Sequence, residues 1–568
     1  MRSIRQYIIM GLGVVALTSC GDFLSIKPQN EIVLEDYWTE KDDATSMLMS
    51  CYDALGSKEC LRRIILWGEV RSDETKAGTN PPMWLQDILK ENLQPDNEIC
   101  KWDDVYKTIN YCNTFIHYAP GVSEKDPNYK EGEMKANVAE AKAIRAICYF
   151  TLAKTFRSVP FTFEPSLTDE QSYRIPATDF DTIVKTLIND LEGCKDDAVR
   201  RFYLDNSGDA YQNSSRITRW GICAILADLY LWAGEYEKCV ATCNEIIDYK
   251  KNQYKEWQAN QDLRVTASTN MALFNGVPLI LECPVGSSVD TKRGDAYNRI
   301  FGTGNSFESL FELYYDNKFS NREEFVSAYY CNKDNSGDFG YLAAPDHLYE
   351  NLATDKNTVF LSKNDCRGYE GIIADGSRFA IRKYGRKSVS LNMKNITTEA
   401  KVQDDETMQQ TNFNNWIFYR LTDVMLMKAE AEVMMGEDHY EDAFAMVNAV
   451  NKRARNATST TMSDTLKYTD YNTSKTAMEE LVFDERHREL MFEGKRWFDM
   501  VRMARRDGNN SRLISETIEK HTSNTAAIRI RLADPNIAYY PYSRAEIKRN
   551  PNLVQNPAYK DNNAQLTK

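Results

Sequence analysis

The sequence has few of the residues that metal, nucleotide and nucleic-acid chemistry use. Only five histidines occur in 568 residues, and the cysteines form no CxxC pairs, so the usual ligand spacings of a zinc site are missing. No GxSxG nucleophile elbow and no HExxH helix occur. The formal net charge is −13 at pH 7, and no basic stripe offsets it, which argues against a nucleic-acid partner. We therefore predict no catalytic residues, no metal site and no cofactor.

The sequence also has no apolar run long enough to cross a bilayer. The run from Ile8 to Leu17 follows two arginines and is shorter than the roughly 20 residues that a spanning helix needs, which is typical of a signal peptide. It ends in Leu17-Thr18-Ser19-Cys20, which resembles a bacterial lipobox, whose cysteine is acylated and becomes the mature N-terminus. We predict a signal peptide over residues 1–19 and a lipid anchor at Cys20. The alternative is an ordinary cleavage site beside a chance cysteine.

Thirteen cysteines are present, yet their spacing does not indicate a disulfide framework. Most occur singly in helical patterns, as at Cys148, Cys223, Cys239 and Cys243. A small apolar residue would pack equally well at such positions. The pattern indicates core packing as the role of these side chains.

Two segments have the helix, tight turn and helix pattern of a tetratricopeptide unit. The first spans residues 215–248 with its turn at Gly234, and the second spans residues 420–454. The matching positions are Tyr236 with Tyr440 and Cys239 with Ala443. A single unit of this kind cannot bury its apolar face alone, so we expect several units to stack into one scaffold.

Helical spacing elsewhere predicts further helices over Asp42–Leu55, Trp102–Tyr118 and Ala136–Phe156, the last two being weaker candidates for repeat units. Residues 251–415 differ, because short apolar runs alternate there with Gly, Ser, Asn and Asp. We predict a mostly α fold for residues 20–568, with a tetratricopeptide-type helical-repeat scaffold and a loop-rich, minor-β ligand-binding excursion. The repeats lie within about 100–250 and 416–505, and the excursion covers about 251–415.

Residues 479–502 interleave charged and apolar side chains at helical spacing. Charged side chains are almost never buried alone, so they must pair inside a packing layer. We expect pairs between the arginines Arg486, Arg496 and Arg502 and the glutamates Glu485, Glu489 and Glu493. We also expect Gly494 to end one helix before a second begins at Arg496.

This stretch also carries a family resemblance. Its DERHRELMFEGKRWFDMVR resembles the ER-x-x-EL-x-x-EG-x-R-x-x-D-x-x-R signature of the SusD/RagB family, nutrient-binding lipoproteins of Bacteroidetes-type outer membranes. The resemblance continues at Cys20-Gly-Asp-Phe-Leu with Pro28, at Ser309–Leu313, at Asp365-Cys366-Arg367, and at YPYSRAEIKRNPNLVQNPAY of residues 540–559. The last segment is similar to a closing motif that contains a Pro-containing strand. The resemblance covers essentially the whole mature chain.

The resemblance implies a surface lipoprotein that caps a SusC-like, TonB-dependent transporter and delivers a nutrient to it. For a neutral sugar, the natural contact is an exposed aromatic face flanked by polar side chains. Trp84 follows Asn80-Pro81-Pro82-Met83 in a predicted loop, and Tyr297 lies in a polar loop. We take Trp84, Asn80 and Tyr297 as candidate ligand contacts; the alternative is that the aromatic rings fill the scaffold.

The predicted function is capture of a nutrient glycan or oligosaccharide at the cell surface. Two alternatives keep the scaffold: capture of peptides, and a lipid-anchored tetratricopeptide adaptor that binds envelope proteins. A surface glycosidase is a further alternative. Such an enzyme needs two carboxylates across a sugar site, and closely spaced carboxylates are abundant in this sequence. The crowded candidates Glu485, Glu489 and Glu493 alternate with arginines, which would hold them ionised and make them poor acids.

Overall fold

The structure is a computed structural model that describes residues 37–560, except for 169–170, 204–209, 260–269, 284–291, 316–323, 331–339, 376–377, 395, 397, 399–401, 409–414 and 456–464. The helices, in chain order, are α1 (Lys41–Leu55), α2 (Lys58–Glu69), α3 (Met83–Leu89), α4 (Asp103–Lys125), α5 (Glu131–Phe156), α6 (Phe180–Glu192), α7 (Gln212–Ser215), α8 (Arg219–Ala233), α9 (Tyr236–Ala259), α10 (Asp295–Tyr297), α11 (Phe325–Tyr329), α12 (Cys366–Gly371), α13 (Leu421–Met435), α14 (Tyr440–Ala454), α15 (Tyr468–Tyr471), α16 (Lys475–Leu490), α17 (Arg496–Asp507), α18 (Ser511–Glu519), α19 (Thr525–Leu532) and α20 (Arg544–Arg549).

The long helices form a row in which each packs on the next along the sequence. Helix α1 packs on α4, α4 on α5, α5 on α6, α6 on α8, α8 on α9, α9 on α13, and α13 on α14 and α16. Such nearest-neighbour packing is the arrangement of a helical-repeat solenoid. The predicted mostly α, tetratricopeptide-type scaffold is therefore confirmed.

Glycines make the tight turns of the two sequence repeats. Helix α8 ends at Gly234, which has φ +74° and donates its N–H to carbonyls in the last turn of that helix. Helix α13 ends at Gly436, which has φ +116°. Both values lie in the left-handed region that glycine adopts at little cost, so each turn lets the chain reverse into α9 and α14.

The strands are short, and every pairing among them is antiparallel. They are β1 (Lys76–Ala77), β2 (Val159–Pro160), β3 (Ala177–Thr178), β4 (Met271–Phe274), β5 (Val277–Ile280), β6 (Lys292–Arg293), β7 (Ser309–Leu313), β8 (Leu342–Ala343), β9 (Ile372–Asp375), β10 (Arg378–Ile381), β11 (Arg386–Asn392), β12 (Gln403–Met408) and β13 (Trp416–Arg420). Strand β11 lies between β12 and β6, and the others form the pairs β1–β8, β2–β3, β4–β5, β7–β13 and β9–β10. Nine of these strands, β4 to β12, fall within the predicted loop-rich part.

Two local predictions differ from the structure. The segment that carries Trp84, predicted to be a loop, contains α3. The strand expected within residues 540–559 is absent from that fully described segment, which instead forms α20 and a 3-10 turn at Pro557–Tyr559. Four of its side chains bond to backbone groups of distant segments, so long-range contacts decide its conformation: Tyr542, Asn550, Asn552 and Asn556.

Two apolar clusters form the core. The larger follows the row of helices from α1 to α8 and continues under β7, β11 and β13. The second joins α9, β5, α13, α14 and α16. None of the described helices is both long enough and apolar enough to cross a membrane.

Candidate functional site

Helix α16 carries a carboxylate at the centre of a buried charge network. One oxygen of Glu489 accepts a hydrogen bond from Arg420 Nη1 (2.7 Å) and another from Arg453, and its second oxygen accepts one from Arg367 Nη1 (3.0 Å). All four side chains are buried or nearly so. The network therefore joins α16 to α12, β13 and α14.

The neighbouring carboxylates are held in the same way. Glu493 binds Lys383 (2.7 Å) and Arg420 (2.7 Å), and Glu485 binds Arg367 (2.9 Å) and Arg488 (2.9 Å). Although burial opposes ionisation, the guanidinium groups of Arg453, Arg420 and Arg367 hold the pKa of Glu489 well below its usual range. A carboxyl group with so low a pKa is a poor proton donor near neutral pH, so the role that the structure supports for Glu489 is to hold these arginines in place.

The predicted partners of the three arginines were wrong. Arg486 binds Asp423 and Asp499, Arg496 binds Asp73 and Glu516, and Arg502 binds Glu430 and Asp499. The Arg496–Asp73 pair joins residues 423 positions apart in the sequence. Helical spacing identifies that these charges are buried and paired, but it contains no information on partners that other helices supply. The second helix begins at Arg496 as predicted, but the first ends at Leu490, before Gly494 (φ +70°), so Gly494 lies in the turn and does not itself end the helix.

The turn after α16 fixes the segment that follows α2. A Cβ on Gly68 would lie 1.9 Å from the carbonyl oxygen of Gly494, so only glycine allows α2 to approach this closely. Glu69 accepts a hydrogen bond from the N–H of Gly494 (2.9 Å), and Glu74 accepts one from the N–H of Phe492 (2.9 Å). The chain entering β1 is thus anchored to the charge network.

Beyond β1, the chain reaches the surface beside β8. The N–H groups of Gly78 and Thr79 donate to the carbonyls of Tyr341 and Gly340, each at 2.9 Å. The following residues include Met83, whose side chain is 78% exposed. We call the group Asn80, Met83, Trp84 and Tyr341 the Trp84 surface.

Trp84 lies in the first turn of α3 and not in a loop as predicted, and its ring is half-buried. Its carbonyl accepts a hydrogen bond from Asn97 (2.8 Å), and the guanidinium of Arg62 lies 5.3 Å from the ring centroid. Arg62 is itself held by Glu59 (2.5 Å) and Glu98 (2.7 Å). A cation over an indole face is favourable, so Arg62 helps to hold the ring, part of which remains exposed.

Buried Tyr329 lies between Arg62 and Tyr341, the fourth residue of the Trp84 surface. Arg62 donates to the hydroxyl of Tyr329 (3.4 Å), whose ring meets that of half-buried Tyr341 at a centroid distance of 5.4 Å. Tyr341 stands close to the pairing of β1 with β8. No periodic pattern marks it, and only the strand pairing brings it next to the segment that carries Trp84.

The other two candidate contacts have different surroundings. Asn80 is exposed and has φ +47°, a left-handed conformation that asparagine tolerates. Tyr297 is 2% exposed, and its hydroxyl donates to the carbonyl of Arg382 (3.1 Å). Asn80 is therefore exposed four residues before the half-buried Trp84, whereas the ring of Tyr297 lies in the interior packing and does not face a ligand at the surface.

One buried cluster has the residue types of a metal site. Oxygen and sulfur atoms of Glu282, Cys366 and Glu370 lie within 4.8 Å of one another. Burial raises the pKa of both carboxyl groups, and Arg453 lies 3.6 Å from Glu282. The guanidinium of Arg453 supplies a positive charge beside these carboxyl groups, so the cluster does not require a cation, and we assign it no metal.

The predicted lipid anchor at Cys20 and the signal peptide over residues 1–19 lie outside the described residues.

Comparison with known sequences finds similarity to SusD-like proteins. The sequence profile of the SusD family matches residues 290–559. SusD-like protein P38 of Formosa agariphila is 26% identical over 516 residues, which cover 88% of this chain and 91% of that protein. SusD-like protein P25 of the same organism is 22% identical over 522 residues, covering 88% and 90%.

Solved structures give the same result for the fold. A SusD superfamily protein from Bacteroides thetaiotaomicron superposes with a TM-score of 0.60 at 19% identity, covering 92% of this chain and 99% of that one. A laminarin-binding SusD-like protein superposes with a TM-score of 0.59 at 18% identity, covering 92% and 100%. The likeness thus extends over nearly all of both chains.

Proposed function

Since this chain belongs to the SusD family, we propose that it captures a nutrient glycan or oligosaccharide at the Trp84 surface. The observation that carries the proposal is the half-buried indole of Trp84, held from one side by Arg62 and flanked by exposed Asn80 and Met83. The laminarin-binding protein of the same fold supports a glycan as the ligand.

The chemistry of this surface suits a sugar ring. The C–H face of a pyranose packs against the exposed face of Trp84, and the amide of Asn80 can both donate to and accept from its hydroxyls. The pairing of β1 with β8 holds the chain before this loop, and Arg62 holds the Trp84 ring, so little order must be gained on binding. Capture needs no bond chemistry, which agrees with the lowered pKa of Glu489 in α16.

A peptide is the second candidate ligand, and Met83 favours it. Its thioether side chain is 78% exposed beside Trp84, and methionine adapts to varied apolar groups. Calorimetric titration of the mature soluble chain with laminarin, other polysaccharides, oligosaccharides and peptides separates the two. We expect saturable binding to one glycan class. Binding to peptides alone would reverse the assignment and favour the peptide-capture or adaptor role.

We propose a SusC-like, TonB-dependent β-barrel transporter as the protein partner. A capping role requires a stable contact, which in such assemblies buries about 2,000 Å² or more. Affinity purification from outer membranes in mild detergent should therefore retrieve a large β-barrel protein in amounts comparable to the tagged chain. Recovery of the tagged chain alone, with membranes fully solubilised, would contradict the partnership.

We further propose that the mature chain is anchored to the outer membrane through acylated Cys20. Cys20→Ser should leave the precursor unlipidated, because serine lacks the thiol that is acylated. Without its acyl chains the protein should move from the membrane fraction to the soluble fraction. Fractionation and metabolic labelling with a tagged fatty acid measure both effects. Labelling and membrane retention equal to those of the natural chain would refute the anchor.

A further inference from the structure

A second concave site lies away from the Trp84 surface. A cavity of about 740 Å³ opens between α4, residues 160–175 and the segment around α20. This volume falls in the range of small-molecule sites, about 300–1,000 Å³. Trp84 does not line it. We call the described part of residues 160–175 the arch.

The arch is fastened to the helices at its first end. The hydroxyl of Tyr106 donates to the carbonyl of Pro160 (2.7 Å), and the amide of Asn113 donates to the carbonyls of Thr162 and Glu164 (each 3.3 Å). Asn110 makes two further bonds to the backbone of Ser166, at 2.7 and 3.2 Å. Side chains of α4 therefore supply the bonds that a regular strand or helix would supply.

The arch is fastened at its other end to the C-terminal segment. Asn550 donates to the carbonyl of Ile175 (2.7 Å), and Asn552 donates to that of Arg174 (2.6 Å). With both ends held, the cavity exists before any ligand arrives. A preformed site loses little affinity to the ordering of its own residues.

The cavity offers aromatic faces next to polar groups. Half-buried Tyr106 and buried Ile109 and Leu553 line its floor, and the ring of Tyr173, which is 49% exposed, stands at its wall. Most of the other lining residues carry amides, hydroxyls or charges. An apolar partner helix would leave these polar groups unpaired, whereas a sugar ring matches both kinds of surface.

The charges at the cavity do not favour an ion. Carboxylates and guanidinium groups are present in nearly equal number among the lining residues: Asp103, Glu164 and Glu546 against Arg174 and Arg549. Arg549 is already paired with Glu546 at 3.0 Å. A neutral ligand with hydroxyl groups meets no net repulsion here and can bond to either charge type.

We propose that this cavity is a second binding site, which takes a neutral pyranose unit at the end of a glycan. It is independent of the Trp84 surface. A glycan captured at one surface can then be held at two points, which raises its overall affinity when its length spans both.

Trp84→Ala first weakens binding at the Trp84 surface, and a second substitution then changes the cavity. In the mature soluble chain carrying Trp84→Ala, maltotriose, cellotriose and mannotriose are titrated by calorimetry and by saturation-transfer NMR. We expect saturable binding of at least one trisaccharide. Adding Ser172→Trp, which fills the cavity from its wall, or Tyr173→Ala, which removes a stacking face, should weaken that binding about tenfold.

Tyr211→Ala is the matched control, because Tyr211 is 54% exposed and does not line the cavity. It should leave affinity unchanged, and circular dichroism checks the fold of every variant. If the Ser172→Trp variant does not fold, the trisaccharide affinity of the Tyr173→Ala variant tests the cavity instead. Absence of binding by the Trp84→Ala chain, or equal affinity with and without the cavity substitution, would overturn the second site. The proposed function has a separate test. It is contradicted if the natural chain and the Trp84→Ala chain bind the glycan with equal affinity.

Discussion

Replacing Glu489 by glutamine is expected to lower the free energy of unfolding by about 3–5 kcal/mol, the usual cost of removing one partner from a buried charge cluster. The carboxylate of Glu489 compensates three guanidinium groups, those of Arg367, Arg420 and Arg453. Glutamine retains the shape but removes the charge, so all three cations lose a counterion in a site that excludes water. The measurement is denaturant unfolding followed by circular dichroism.

Glu480→Gln is the matched control, because the two glutamates share helix α16. The side chain of Glu480 is 55% exposed and pairs with Arg512 at 3.3 Å on the surface. Exposed pairs contribute about 0–1 kcal/mol, so this variant should unfold almost as the natural chain does. Equal stability of the two variants would show that the network around Glu489 does not hold the fold together.

Trp84→Ala is expected to reduce glycan affinity by about 30-fold, since removal of an aromatic anchor at a binding site costs about 2 kcal/mol or more. The indole is the largest ring on the proposed surface, and alanine leaves Arg62 without its stacking partner. Titration with the glycan that the natural chain binds gives the affinity. Circular dichroism and thermal unfolding show whether the variant keeps its fold.

Trp220→Ala provides the comparison for Trp84→Ala. Trp220 is also half-buried, stacks on Tyr249 at a centroid distance of 4.1 Å, and lies on α8 in the solenoid. Its removal should cost some stability and leave glycan affinity unchanged. If both variants bind with the affinity of the natural chain, the glycan site lies elsewhere on the protein, and the Trp84 surface is not a capture site.

The helical scaffold could be predicted from the sequence because its signals are local. The repeated pattern around Gly234, with its second copy at 420–454, depends on residues within one helix pair and on a turn that glycine makes. Such elements depend little on distant parts of the chain, so spacing and turn chemistry are sufficient to locate them.

The charge partners and the surroundings of the site depend on contacts between distant segments. Arg496 meets Asp73 only because Gly68 lets α2 pack against the turn at Gly494. Tyr341 comes near the Trp84 segment only because β1 pairs with β8. The pattern around Tyr297 gave no sign that its loop folds inward. Sequence spacing can identify a Trp beside Asn and Pro residues as unusual, but it cannot show which residues surround it.

The buried thiols have a consequence for experiments on the solenoid. The eleven cysteines of the described chain are buried and form no disulfide with one another, and burial raises the pKa of Cys60 to about 12 and that of Cys223 to about 11. Only the thiolate is alkylated, so a reagent reaches these positions when the helices around them open. Cys51, Cys148 and Cys239 lie in α1, α5 and α9. Alkylation rates at natural residues can therefore give a profile of local opening along the row of helices, with no substitution needed.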